Sequence, residues 1–220
     1  MNTENTTHTY TISEIRHLTK DTFVLRFSRN GMDFRPGQHI SMGFKNENNM
    51  REYSVYNSPN DNQLEVLIKE VDEGIVSKKL KQVKVGDVVA VKGPYGKFMK
   101  QAEAKESKKF LFIASGTGIS PFHSFIMANP EIDYRLLHGI RNEAEAYDKS
   151  DYSLNAYISC TSRNESGTFF GRITDYLLEN DLDPNTDVYL CGNSNMILDS
   201  IDILTAKGFS QRQIFTEMYF

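Results

Sequence analysis

With 220 residues, the chain is long enough for one large domain or two small ones, and its apolar (39%) and charged (25%) fractions are ordinary for a folded globular protein. Its net charge of -4 argues against wholesale nucleic-acid binding, and no apolar run approaches the roughly 18 residues that a membrane helix needs. The polar start of the chain lacks the pattern of a signal segment, so we expect a cytoplasmic protein without a nucleic-acid or membrane partner.

Cysteine and histidine patterns argue against several kinds of site. Cys160 and Cys191 lie in different predicted strands and form no C-x-x-C pair, so we expect neither a disulfide framework nor a zinc or iron-sulfur site. The five histidines are scattered without ligand spacing, and the chain contains no H-E-x-x-H or G-x-S-x-G sequence. We therefore predict no metal site and set metal-dependent and serine-dependent hydrolysis aside.

Short alternating runs, separated by turn residues, fill the first part of the chain. Six of them have the length and the apolar alternation of strands, at 9–15, 22–27, 39–44, 51–56, 64–71 and 88–92. A single helix is predicted among them, over 76–82. Six strands at regular spacing predict an all-β antiparallel barrel, which we assign to residues 1–99.

The composition changes after Gly96. A polar stretch, from which we take 100–107 as a linker, leads into alternating strands and helices. The predicted strands are 110–114, 134–139, 156–161, 188–191 and 213–217, and the predicted helices are 119–128, 171–178 and 196–207. This alternation predicts an α/β domain with a doubly wound parallel sheet, assigned to 108–220.

A cation, a flat ring and a hydroxyl occur together in the predicted strand Arg51-Glu52-Tyr53-Ser54. Alternate side chains of a strand share a face, so Arg51 and Tyr53 point one way and Ser54 the other. A guanidinium for a phosphate, a phenol ring for a planar system and a hydroxyl for its polar edge suit a flavin nucleotide. The alternative is an edge strand with ordinary surface residues.

Two glycine segments each open a predicted helix. Ser-Gly-Thr-Gly-Ile-Ser-Pro at 115–121 follows a buried strand, where glycines and a helix amino terminus suit a pyrophosphate. It matches neither the full G-x-G-x-x-G sequence nor a P-loop, so a tight turn is the alternative. Glu-Gly-Ile-Val-Ser-Lys-Lys at 73–79 offers backbone amides, a hydroxyl and a lysine to a flavin phosphate. A capped surface helix is the alternative there.

Taken in order, these segments resemble the ferredoxin-NADP reductase family, together with Gly93-Pro94-Tyr95-Gly96, Cys191-Gly192-Asn193 and the terminal Glu217-Met218-Tyr219-Phe220. The resemblance covers residues 10–220 and looks strongest to bacterial ferredoxin/flavodoxin-NADP reductases, whose Arg-x-Tyr-Ser continues into an Asn-Ser-Pro turn. It implies an FAD-binding barrel followed by an NADP-binding domain. It also implies an NAD(P)H-dependent oxidoreductase that moves a hydride between nicotinamide and flavin and exchanges electrons with ferredoxin or flavodoxin.

The resemblance further implies roles for individual residues. On the FAD side, Tyr53 packs on the isoalloxazine, Ser54 hydrogen-bonds near its N5, and either Tyr219 or Phe220 stacks on the flavin. The residues implied to bind FAD are Arg51, Tyr53, Ser54, Gly74, Val76, Ser77, Tyr219 and Phe220. Those implied to bind NADP are Gly116, Thr117, Gly118, Ser162, Arg163, Arg172 and Cys191. The implied catalytic set is Ser54, Cys191, Glu217 and Tyr219.

Cofactor preference depends on Ser162 and Arg163, after the third predicted parallel strand, and on Arg172. An arginine fork satisfies a 2'-phosphate with charge-assisted hydrogen bonds, and NADH lacks that group, so we predict NADPH. Solvated surface arginines are the alternative. Two other functions remain open: an NADH-linked reductase component for an oxygenase, free flavin or ferric chelates, and a non-catalytic flavin-binding electron-transfer subunit. A basic group at Lys78, Lys79, Lys81 and Lys84 suits an acidic partner or a solvated helix face.

Overall fold

The computed structural model describes residues 7–47, 49–99 and 108–219. The chain divides into two compact units, one formed by Met1–Gln101 with Ser120–Ala128 and the other by Ala102–Ile119 with Asn129–Phe220. The segment Ser120–Ala128 therefore groups with the first unit, and the domain boundaries predicted from the sequence, 1–99 and 108–220, stay predictions. The linker predicted at 100–107 lies outside the described residues.

An antiparallel sheet of six strands forms the first unit. The strands are β1 (His8–His17), β2 (Thr22–Ser28), β3 (His39–Gly43), β4 (Met50–Ser54), β5 (Gln63–Lys69) and β6 (Val88–Tyr95), in the order β4-β3-β6-β1-β2-β5. The chain after β4 closes this sheet on itself, because Val55 bridges to Val66 and the Tyr56 amide donates to the Glu65 carbonyl at 2.8 Å. The predicted antiparallel barrel is confirmed.

Strand alternation builds the barrel core. Phe23, Leu25 and Phe27 of β2 point inward and are almost fully buried. The helix α1 (Ile75–Lys81) adds Val76 and Leu80, which are four positions apart and therefore share one helix face. This places α1 against the same core as the strands.

A parallel sheet of six strands forms the second unit. The strands are β7 (Lys109–Ser115), β8 (Asp133–Ile140), β9 (Tyr157–Thr161), β10 (Phe169–Phe170), β11 (Asp187–Asn193) and β12 (Ile214–Tyr219), in the order β10-β9-β8-β7-β11-β12. Three further helices follow strands of this sheet, α2 (Ser120–Ala128), α3 (Ile173–Glu179) and α4 (Ser194–Ala206). The predicted doubly wound parallel sheet is confirmed.

The two faces of β7 have different partners within the second unit. Leu111 and Ile113 join the core cluster that contains Leu177 of α3 and Leu204 of α4. Phe112 lies on the other face, where its ring meets that of Tyr189 at 6.1 Å. The carboxyl ends of parallel strands share one edge of the sheet, so the turns after β7, β8, β9, β10 and β11 all lie along that edge.

Two of the differences between the predicted and the observed elements at that edge concern β10 and α3. The two-residue strand β10 was not predicted, because two residues are too short to show a period. Helix α3 begins at Ile173 rather than at Gly171, since the Gly171 amide donates to the Thr161 carbonyl at 3.0 Å and keeps this residue beside the sheet. Within the described ranges, no helix has the length and apolar character needed to cross a membrane.

Candidate functional site

The first candidate site is the edge strand β4. Tyr53 is paired with the core residue Ile40 of β3, and Ser54 is paired with His39. Arg51 is exposed, donates from Nη1 to the Met50 carbonyl at 3.0 Å, and forms no ion pair with a described residue. The strand therefore presents an available cation two residues away from a half-buried ring.

Burial sets the chemical state of the predicted flavin-facing residues. Tyr53 packs against the barrel core, and this burial raises the pKa of its phenol to about 12, partly offset by the Arg51 cation. The phenol is therefore neutral at physiological pH, as a ring that packs on a flat ligand should be. Ser54, next to it, is buried. An exposed guanidinium without an ion pair, a neutral ring and a hydroxyl on one strand fit a planar anionic nucleotide such as FAD.

The second glycine segment in the barrel unit is used internally. The Ser77 hydroxyl is buried and accepts a hydrogen bond from the Val71 amide at 3.2 Å. A Cβ on Gly74 would lie 2.4 Å from that hydroxyl oxygen, so the turn requires glycine for its own packing. The Val76 side chain belongs to the core, which leaves the backbone amides of the first turn of α1 as the groups that a phosphate could use.

Two lysines of α1 already have acidic partners. Lys79 Nζ lies 2.8 and 2.7 Å from the two carboxylate oxygens of Glu47, in the turn between β3 and β4. Lys81 is paired with Glu70. The first pair holds α1 beside the hairpin that carries Arg51. These two charges are therefore less available to an acidic partner than the sequence indicated.

Helix α2 makes a specific contact with the segment that follows β4. The rings of His123 and Tyr56 stack with centroids 4.0 Å apart, and His123 Nδ1 lies 2.7 Å from the Tyr56 carbonyl. The Ser124 hydroxyl donates to the Asn57 carbonyl at 2.7 Å. Asn57 is itself fixed, because its side chain bonds the Gln63 carbonyl and the Glu65 amide, both at 2.8 Å. This explains why α2 groups with the barrel.

In the second unit, the turn after β7 is a 3₁₀ helix, Gly116–Ile119. Gly116 has a φ of +54°, which favours glycine, and a Cβ there would meet nothing within 4 Å. A Cβ on Gly118, in contrast, would lie 2.3 Å from the Cys191 carbonyl. Gly118 therefore lets β11 approach, and Gly116 leaves the outer side of the turn open, as a phosphate-binding turn requires.

The predicted nicotinamide-side residues meet at the ends of β11 and β12. Cys191 is paired in register with Glu217, and Asn193 with Tyr219. Burial raises the pKa of the Cys191 thiol, and the nearby Glu217 carboxylate raises it further, while a hydrogen bond with Tyr219 acts in the opposite direction. The thiol is therefore protonated at neutral pH, and Cys191, Glu217 and Tyr219 form one cluster. Phe220 lies outside the described residues.

Arginines follow three neighbouring strands at the carboxyl edge of the sheet. Arg172 comes directly after Gly171, and Arg163 comes two residues after the end of β9. The sequence analysis missed a third, Arg141, which directly follows β8 and whose carbonyl accepts from the Arg163 amide at 3.2 Å. All three side chains are exposed, and none makes an ion pair with a described residue. Ser162, also exposed, lies between them.

A second residue that the sequence analysis missed is His138. It is fully buried in β8, and its Nε2 lies 2.8 Å from the Gly116 carbonyl. A lone histidine in an apolar run carries no sequence signal for such a role. The order of the parallel strands places His138 between β7 and β9.

Comparison with known proteins finds two domains, and the second match includes α2. The model of the oxidoreductase FAD-binding domain matches residues 9–99, and the model of the oxidoreductase NAD-binding domain matches residues 112–201. A solved ferredoxin NADP+ reductase from Neisseria gonorrhoeae, with bound FAD and NADP, has a TM-score of 0.86 and 23% identity, over 97% of this chain and 99% of that one. At this identity the likeness concerns the fold.

Two curated relatives have different physiological roles. A flavodoxin/ferredoxin-NADP reductase of Rhodobacter capsulatus is 27% identical over 237 residues, which cover 91% of this chain and 86% of that protein. The electron transfer component of toluate 1,2-dioxygenase from Pseudomonas putida is 26% identical over 226 residues, which cover 94% of this chain. This chain spans 66% of the length of the toluate 1,2-dioxygenase component.

Proposed function

Since this chain belongs to the ferredoxin-NADP reductase family, which joins an FAD-binding to a NAD-binding oxidoreductase domain, we propose that it oxidises NADPH and delivers electrons to a small ferredoxin or flavodoxin. The coarser activity, an FAD- and NAD(P)-dependent electron-transfer reductase, follows from the family. The choice of NADPH and of the acceptor is the proposal.

The observation that carries the preference for NADPH is the arginine edge, the set Arg141, Arg163 and Arg172. These exposed cations follow three adjacent parallel strands and have no acidic partner among the described residues. Three unpaired like charges at one edge repel one another. A bound anion with about two negative charges would offset this repulsion. A 2'-phosphate is such an anion, and NADH lacks it.

On the flavin side, we assign Arg51 to a phosphate of FAD, Tyr53 to the ring and Ser54 to its polar edge. FAD, when bound, takes up a hydride and releases its two electrons one at a time. The barrel provides a neutral phenol and a buried hydroxyl on a hydrogen-bonded strand, which orient the flavin without adding charge. The backbone amides of the first turn of α1 are assigned to the flavin phosphates, with Gly74, Val76 and Ser77 shaping that turn.

On the nicotinamide side, we assign the turn Gly116-Thr117-Gly118 to the pyrophosphate and the cluster of Cys191, Glu217 and Tyr219 to the reacting end. The raised pKa of Cys191 keeps its thiol protonated, so the cluster offers an uncharged sulfur beside the Glu217 carboxylate. A neutral thiol packs on the nicotinamide ring without adding a charge of its own. The Glu217 carboxylate, in contrast, stabilises the positive charge that the ring carries in NADP+. Tyr219, held by Cys191, is assigned to the flavin face that the nicotinamide must reach.

The acceptor assignment rests on charge. Residues 1–101 carry more basic than acidic side chains, and the remainder of the chain carries more acidic than basic ones. Electrostatic attraction raises association rates between a basic surface and an acidic carrier. Lys79 and Lys81 contribute little to this attraction because they are paired, so Lys78 and Lys84 are the better candidates on α1 and just after it.

The test is a turnover assay with a panel of acceptors. The protein is purified with FAD and mixed with NADPH and with ferredoxin, flavodoxin, free flavin or a ferric chelate in turn. We expect the two carrier proteins, ferredoxin and flavodoxin, to be reduced fastest. A colourless protein that cannot be reconstituted with FAD would overturn the assignment, and a yellow protein that neither nicotinamide bleaches would be the non-catalytic electron-transfer subunit.

A second candidate function is supported by the toluate 1,2-dioxygenase relative. In this case the chain would be an NADH-linked reductase component that supplies an oxygenase. This candidate requires that NADH reduce the flavin at least as well as NADPH, and that the arginine edge contribute nothing to the choice between them.

A further inference from the structure

His138 occupies a position where two elements of the second unit meet. In register it lies between Ala114 of β7 and Ser159 of β9, so its imidazole is enclosed by the sheet. Nε2 lies 2.8 Å from the Gly116 carbonyl oxygen, and Nδ1 lies 2.8 Å from the Tyr157 hydroxyl. The imidazole therefore connects the glycine turn after β7 to the first residue of β9.

The chemistry of the two partners decides where the protons are. A carbonyl oxygen only accepts, so Nε2 carries the proton and donates to Gly116, and Nδ1 accepts from the Tyr157 hydroxyl. Burial lowers the pKa of His138 to about 4, although Gly116, Glu145 and Glu143 act in the opposite direction. Burial also raises the pKa of Tyr157. Both groups keep these protonation states across the physiological range.

The bond to Gly116 fixes one peptide plane. In a trans peptide the carbonyl oxygen and the following amide hydrogen point in opposite directions, so the Thr117 amide hydrogen is directed away from the imidazole. Gly116 has a φ of +54° and no side chain that would resist a rotation of this plane. The imidazole supplies the restraint that a side chain at Gly116 would otherwise supply.

The hydroxyl of Tyr157 is itself held in place. Its ring stacks on that of Tyr152, with centroids 5.2 Å apart and planes 9° from parallel. Lys149 Nζ lies over the same ring, 5.8 Å from its centroid. These contacts fix the direction from which the Tyr157 hydroxyl donates its hydrogen bond to Nδ1, and thereby help to hold the imidazole in place.

We propose that His138 is a positioning residue for the dinucleotide: it holds the Gly116–Thr117 peptide in the single orientation in which the turn receives the pyrophosphate. This inference rests on the proposed function, since it takes Gly116–Ile119 as the pyrophosphate turn. His138 contacts the turn and acts through it. Its effect should therefore fall on nicotinamide binding, with little effect on the rate of the bound complex or on FAD retention.

The test compares His138→Gln with His138→Asn, in the full chain loaded with FAD. The glutamine amide nitrogen takes the place of Nε2 and can donate to Gly116, whereas the asparagine side chain ends near the place of Nδ1. NADP+ binding is measured by titration calorimetry, and KM and kcat for NADPH are measured separately. We expect His138→Asn to weaken NADP+ binding and to raise KM about tenfold, with kcat near the wild-type value. His138→Gln should stay within about threefold of wild type.

Three results would overturn the inference while leaving the proposed function intact. These are equal NADP+ affinity in wild type and His138→Asn, equal losses in both variants, and a loss that falls on kcat alone. If His138→Asn does not fold, Tyr157→Phe replaces it, because it removes the hydroxyl that holds Nδ1 and so loosens the placement of the imidazole; we expect an approximately threefold weaker NADP+ affinity, and no change contradicts the inference. A wild-type protein that binds neither NADP+ nor NAD+ would overturn the proposed function as well.

Discussion

Two turns in this molecule begin a helix with glycine, and the structure uses them differently. At Gly74, the space beside the glycine is filled by the Ser77 hydroxyl, and the nearby lysines Lys79 and Lys81 are paired with carboxylates. At Gly116, the space beside the glycine is open, and a buried histidine holds the peptide from the other side. In the first turn the protein's own side chain fills the space beside the glycine and leaves only backbone amides to a ligand, whereas in the second turn this space is open.

A glycine before a helix therefore signals close approach without indicating which group approaches. In the first turn the approaching atom belongs to the protein, and in the second nothing in the described chain occupies the place. Two lysines near Gly74, Lys79 and Lys81, are paired with carboxylates, whereas the three arginines of the arginine edge have no acidic partner among the described residues. Recognition of the nicotinamide cofactor should therefore be concentrated in the second unit's open turn and its neighbouring arginines.

The largest expected effect comes from the arginine edge. Replacing Arg163 and Arg172 together by Ala removes two charge-assisted contacts of about 1.5–3 kcal/mol each, so kcat/KM for NADPH should fall on the order of a thousandfold. NADH should be nearly unaffected, because it lacks the 2'-phosphate. The matched control is Arg212→Ala, an exposed arginine of the same unit that precedes β12 and thus lies at the other end of its strand. Equal losses for both nicotinamides would contradict the assignment.

The burial of His138, which holds the Gly116 carbonyl, should make the free energy of unfolding depend on pH. His138 has a folded-state pKa of about 4, below its ordinary value of 6.5, so the unfolded chain binds more protons between these two values. The contribution of this pKa difference to the free energy of unfolding is complete above about pH 6.5 and is lost as the pH falls towards 4. The total loss is about 3 kcal/mol. Urea unfolding of wild type and His138→Gln at several pH values checks this. The same acid sensitivity in both would refute it.

On the barrel side, Arg51→Ala tests whether an unpaired cation near the closed turn also serves a ligand. It should weaken FAD retention by about 1.5–3 kcal/mol, or at least tenfold, through loss of a charged phosphate contact. Flavin fluorescence on dilution measures the release. Lys20→Ala, which removes an exposed cation of the same unit, is the control. Equal retention in wild type and Arg51→Ala would mean that β4 is an ordinary edge strand.

The smallest expected effects compare the two glycines directly. Gly74→Ala forces the Ser77 hydroxyl from its bond with Val71, and Gly116→Ala strains a left-handed residue, so each should cost about 1–2 kcal/mol of unfolding free energy. Only Gly116→Ala should weaken NADP+ binding, because its methyl group enters the open side of the turn. Calorimetry on both variants decides this. If Gly74→Ala weakens NADP+ binding as much, the distinction between closed and open turns is wrong.

Much of the fold could be predicted because it depends on local periodicity. The β2 alternation of Phe23, Leu25 and Phe27 and the strand-helix alternation after Gly96 each reflect a choice that neighbouring residues make together. The strand β10 was not predicted, because its two residues are too few to show a period. The contact of α2 with the barrel has no local signal, because His123 and Tyr56 are 67 positions apart in the chain.

The candidate site was only partly predictable. Arg51, Tyr53 and Ser54 lie within one strand, so their residue types alone indicate a ligand. His138 does not, since its partners Gly116 and Tyr157 are 22 and 19 positions away and are brought together by the order of the parallel strands. Arg141 could have been found from topology, because it directly follows a parallel strand at the edge where such sheets bind ligands. The predicted roles of individual site residues remain predictions.

The preference for NADPH is tested most directly by anaerobic stopped-flow mixing of the oxidised, FAD-loaded wild-type protein with NADPH or with NADH at equal ionic strength. The absorbance of the bound flavin reports its reduction. We expect both nicotinamides to bleach the flavin and NADPH to do so at a far lower half-saturating concentration. This difference should shrink as inorganic phosphate is added, because phosphate competes for the arginine edge. Equal half-saturation by the two nicotinamides, unchanged by phosphate, would contradict the account.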